Sequence, residues 1–108
     1  MNTLRLLTVA LGISLVSMAA HAQDADAAKA LLKKNDCFKC HALDKKKDGP
    51  SYKEVANKRK GEAGAADKLF KHMTTSPMVE VEGKKEEHKK IKGTDEQINN
   101  LIGWILSL

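Results

Sequence analysis

The chain has 108 residues, a formal net charge of +5 and only 4% aromatic residues. This bounds it to one small domain with a thin hydrophobic core. The positive charge rests on 17 Lys against 2 Arg. With no arginine cluster and no aromatic ladder, nucleic acid is excluded as a partner. What is left is a solvated lysine face, or a docking patch for acidic proteins.

In chain order, residues 1–22 read as a cleaved secretory signal peptide. Arg5 supplies the positive start, Leu6 to Ala20 an uncharged apolar run, and Ala20-His21-Ala22 the small-x-small cleavage site. The run is short for a membrane span and is interrupted by Gly12, Ser14 and Ser17. The expected product is a periplasmic domain, residues 23–108, with no membrane span after cleavage. It has 86 residues and net charge +4, a size that often needs a disulfide, metal or cofactor to complete its core.

The domain opens on a short helix. Asp24 or Asp26 is the candidate cap, lysines close it, and Ala28, Leu31 and Leu32 share one face. It runs directly into "CFKCH", residues 37–41. "ALDKKKDGPSY" follows as a loop with Asp48-Gly49-Pro50 as its turn. Ser51 then caps a second helix, "YKEVANKRK", with Glu54 in capping-box position. "GAADKLFKHMTT" predicts a third helix with Ala66, Leu69, Phe70 and Met73 on one stripe, and Ser76-Pro77 ends it. His72 falls off that stripe and is expected to face solvent. "VEVEGKKEEHKKIKG" alternates briefly before a charge run and reads as an exposed loop. "TDEQINNLIGWILSL" is the clearest element, with Thr94 and Gln97 as a capping box and Ile98, Leu101, Ile102, Ile105 and Leu106 on one face. The sum is all-α: three to four short helices, the first and last with apolar faces that can cross.

The chemistry sits in the pentapeptide. Cys37 and Cys40 are the only cysteines, and His41 follows at once. Zinc needs four ligands, and a single Cys pair without a short His–His spacing does not provide them. A thioredoxin-like use needs a βαβ pattern, which is missing. A disulfide across three residues restrains the unfolded chain little. C-x-x-C-H as the attachment signature of c-type haem accounts for every position. The two thiols form thioethers to the porphyrin vinyl groups, and the histidine ligates iron. One covalently bound haem c would also supply the missing apolar bulk.

With "CFKCH" after a short helix, "GPSYKEVANKRKG" about ten residues on, the Ser-Pro-Met stretch and the terminal "LIGWIL", the mature chain resembles a small bacterial monohaem class I cytochrome c. The resemblance implies that fold, with its N- and C-terminal helices crossing around one haem. It implies Cys37 and Cys40 as haem anchors, His41 as the proximal iron ligand, and the Pro50 carbonyl as hydrogen-bond partner of the other His41 ring nitrogen. Tyr52 and Trp104 would line the haem pocket or serve as ordinary core.

Two models compete for the sixth ligand. Met78, after Pro77, has the family look. In small members of this family, however, the ligand precedes the cap of the last helix by about six residues, and counting back from Thr94 reaches His88. With His88, iron has two imidazoles and a lower potential. With Met78, a sixteen-residue loop precedes the last helix and the potential is higher. His88 is the favoured reading and Met78 the alternative. The expected function is electron transfer by a monomeric, non-enzymatic carrier whose lysines meet acidic docking surfaces on redox partners. The rivals are a haem subunit of a periplasmic oxidoreductase complex and a haem ligand-binder with an open sixth position.

Overall fold

A computed structural model describes residues 23–108; the expected signal peptide lies outside the described residues. Four α-helices and one hairpin follow in order: α1 Ala25–Lys34, α2 Tyr52–Arg59, α3 Ala65–Thr74, β1 Met78–Val81, β2 Lys84–Glu87 and α4 Asp95–Leu106. Helix starts obey their caps. Asp24 accepts the Ala27 N–H, and Ser51 accepts the Glu54 N–H. At α4 the box closes both ways, with Gln97 N–H donating to Thr94 Oγ1 (3.1 Å) and Thr94 N–H donating to Gln97 Oε1 (2.9 Å).

Helix α4 is the centre of the fold and packs against α1, α2 and α3. Its Ile98, Leu101, Ile102, Trp104 and Ile105 join Ala28, Leu31 and Leu32 of α1, Tyr52 of α2 and Leu69 of α3 in one core. Each fully buried aliphatic side chain contributes about 1.5–3 kcal/mol. The α1–α4 contact is also pinned by polar groups: Asp24 N–H donates to Asn100 Oδ1 (2.8 Å), and Asn100 Nδ2 donates to the Asp24 carbonyl (2.9 Å).

Two expectations change. Only Leu69 of the α3 stripe is buried; Phe70 and Met73 are half-buried and Ala66 is exposed. The "VEVEGKKEEHKKIKG" loop contains an antiparallel hairpin in the register Met78↔Glu87, Val79↔Glu86, Glu80↔Lys85, Val81↔Lys84. Its turn is Glu82-Gly83, both with positive φ (51° and 77°), the backbone a two-residue hairpin turn requires. The loop reading failed because Glu-Gly is a weak turn signal and the second strand, all charged, shows no alternation.

Candidate functional site

Helix α1 delivers the pentapeptide. Asn35 is its C-cap, and Asp36 turns the chain in the left-handed region (φ 57°) that Asp tolerates better than most residues. Cys37–Lys39 then form one 3₁₀ turn, and His41 N–H closes on the Cys37 carbonyl at 2.9 Å. Both thiols are free; Cys37 is half-buried and Cys40 exposed. Burial, opposed chiefly by the charge of Lys89, pushes the Cys37 thiol above its ordinary range.

His41 is held on two sides. Its Nδ1 lies 2.7 Å from the Pro50 carbonyl. A carbonyl only accepts, so this contact puts the proton on Nδ1 and leaves the Nε2 lone pair for a metal. The Gly49 N–H reaches back to the Cys40 carbonyl at 2.7 Å, wrapping the 40–50 loop tightly around the ring. Tyr52, buried at the start of α2, stacks on His41 at 5.1 Å and 28°. Trp104 lies behind Tyr52 at 6.4 Å. Burial first, then contact with Cys37, raises the Tyr52 hydroxyl well above its usual range, so it stays protonated.

The hairpin also borders the site. His88 N–H donates to the Pro77 carbonyl (2.8 Å), so the hairpin loops out residues 78–87 and returns the chain to its base. The two sixth-ligand candidates therefore start from neighbouring positions and diverge by pleat. In β1, Val79 and Val81 turn inward while Met78 and Glu80 turn out, and Met78 is 58% exposed. The half-buried His88 ring lies 6.2 Å from the His41 ring, centre to centre. Its Nδ1 is buried without a hydrogen-bond partner. The Lys89 backbone favours the charged ring slightly but does not reach hydrogen-bond geometry with Nδ1; burial first, then His41, holds the His88 ring below its usual range.

A metal–imidazole bond is about 2 Å and the ring nitrogen is ~1 Å from the ring centre, so two imidazoles on either side of one ion have centres about 6 Å apart. The observed spacing fits, and the free thiols, the oriented His41 and the partnerless His88 suit an iron porphyrin. The hairpin tip faces the 40–50 loop across a cleft lined by Lys46, Lys47, Pro50, Glu54, Glu80 and Glu82. Another groove, between α1 and α4 and lined by Leu31, Gln97 and Asn100 among others, lies away from these residues.

The cytochrome c family model matches residues 25–108. The chain belongs to the cytochrome c family. Cytochrome c-551 of Stutzerimonas stutzeri is 46% identical over 65 residues, 60% of each chain. Cytochrome c-551 of Pseudomonas aeruginosa is 43% identical over 56 residues, 52% of this chain and 51% of its own. The matches thus span little more than half of these relatives. The class 1 cytochrome MtoD of Sideroxydans lithotrophicus ES-1 superposes with a TM-score of 0.78 and 53% identity, covering 80% of this chain and 97% of its own. This is a small monohaem class I cytochrome c, and Cys37 and Cys40 fit the CXXCH motif that attaches haem c covalently.

Sequence reasoning missed one neighbour of the site. His72, expected in solvent, is half-buried on α3 with its ring 4.4 Å from His88. Burial, then His88, lowers its ring below the usual range. Helical periodicity carries no signal for this contact, because its partner ring comes from a segment beyond the helix.

Proposed function

We propose that this cytochrome carries single electrons in the periplasm with iron held between His41 and His88, Cys37 and Cys40 being the thioether anchors. Bound haem supplies the Fe(III)/Fe(II) couple. Pro50 orients His41 and keeps its tautomer, Tyr52 packs on the ring, and the hairpin base presents His88. The observation that carries the His88 assignment is the 6.2 Å His41–His88 spacing, set against the outward-turned, largely exposed Met78. Imidazole in place of thioether lowers the potential, so the protein is a low-potential member of its family.

Near-infrared magnetic circular dichroism of the oxidised holoprotein separates the two ligand sets. We expect a bis-imidazole band, unchanged in M78A and lost in H88A. A sulfur–iron band in the wild type would overturn the reading.

Residues 1–22 serve as the export signal and residues 23–108 as the functional domain. Among the described residues no helix is long and apolar enough to cross a membrane. We read the domain as a monomeric carrier rather than an enzyme. Its partners approach through exposed Phe38 and Leu43 beside the exposed lysines 39, 45, 46 and 47, which favours acidic redox proteins.

A further inference from the structure

We infer that Asn35 is a positioning residue for the sixth iron position, tying the segment that follows His88 to the segment that enters the haem-attachment motif. Asn35 is one of few buried polar residues, 3% exposed, and lies two positions before Cys37. All its amide groups have partners. Nδ2 donates to the carbonyls of Leu31 and Lys92, each at 3.0 Å, and Oδ1 accepts the Lys92 N–H at 2.8 Å. One side chain thus satisfies both backbone groups of Lys92 and fastens them to the end of α1.

The segment from His88 to Lys92 has three such fastenings. His88 N–H goes to the Pro77 carbonyl and Ile91 N–H to the Met73 carbonyl, each at 2.8 Å. These attach it to the hairpin base and to the end of α3. Among the three, Asn35 alone connects it to the proximal side, where His41 is anchored. The nearby Lys89–Asp36 ion pair (3.4 Å) bridges the same two segments, but both side chains are more than half exposed and such pairs contribute little. Buried, fully satisfied polar contacts are the kind that hold one arrangement against alternatives. Without the amide, the Lys92 peptide loses its partners, and His88 leaves its place more readily.

The inference rests on His88 as sixth ligand, and the test keeps the two apart. The measurement is the rate at which cyanide displaces the sixth ligand of oxidised holoprotein, in wild type, N35A and I98V. I98V trims the α4 core without touching the clamp and controls for lost stability. Removing the partners of a buried peptide should make displacement about ten-fold faster in N35A, with I98V unchanged. N35D, which keeps the acceptor for Lys92 N–H and loses both donors, should be intermediate, and it stands in if N35A yields no folded holoprotein. An N35A (or N35D) rate within about a factor of two of wild type, or an equal acceleration in I98V, overturns the role of Asn35. A sulfur–iron band in wild type overturns the His88 reading, and the inference falls with it. A bis-imidazole band with unchanged variant rates overturns Asn35 alone.

Discussion

At the scale of single residues, the place of His41 is set as much by what is absent beside it as by its hydrogen bond. A Cβ on Gly49 would stand 2.6 Å from His41 Cε1 and 2.9 Å from Nδ1. Neither atom can retreat without breaking the contact with Pro50 or the stack on Tyr52. G49A should therefore displace the imidazole, lower the yield of holoprotein, and shift the Soret band and potential of what matures; an unshifted spectrum at normal yield would refute this. Glu62 gives a second residue-level prediction. Lys68 first, then Arg59, hold its carboxylate below the usual range. A depressed acid contributes stability above its unfolded value and loses it as pH falls through the folded one. The Tm difference between wild type and E62Q should be small near neutrality, given the exposure of the pair, and should vanish in acid. A difference that grows on acidification would contradict the assignment.

Among the elements, α4 and the hairpin behave differently. Helix α4 has a cap, a box and an apolar stripe that all agree, so its start is over-determined. T94A removes the hydroxyl that caps Gln97 N–H and should cost about 1 kcal/mol in urea unfolding of the holoprotein. The hairpin has weak local signals and one strong geometric requirement, the left-handed Glu82-Gly83 pair. It resolves the sixteen-residue gap that made Met78 and His88 look like rivals for one loop. Pairing 78 with 87 removes ten residues from the path, and His88 arrives where a shorter loop would have put it. Counting back from Thr94 pointed to His88, but the pairing that returns His88 to the hairpin base is one that KKEE does not announce.

For the whole molecule, the question is how so few aromatic and aliphatic groups make a stable domain. Leu101 is fully buried at the centre, where α4 meets the other helices. L101A should cost about 3 kcal/mol, read as a fall in denaturation midpoint at unchanged slope. Tyr52 and Trp104 belong to this core and also border the site, Tyr52 against His41 and Phe38 and Trp104 behind Tyr52, so a bound haem would extend the core. Haem-free protein should then show little helical circular dichroism; a native-like spectrum would show that the helices suffice alone.

What the sequence determined by itself were the features set by near neighbours: the caps at Asp24, Ser51 and Thr94, the faces of α1 and α4, and the spacing of Cys37, Cys40 and His41. These depend on residues within one helical turn, so a linear pattern records them. Tertiary structure alone decided the outward turn of Met78, the approach of His88 to His41 and His72, and the grip of Asn35 on Lys92. Each depends on where a distant segment comes to rest, 57 residues away for Asn35 and Lys92. Such contacts arise from closing the chain around its core, and no local periodicity encodes them.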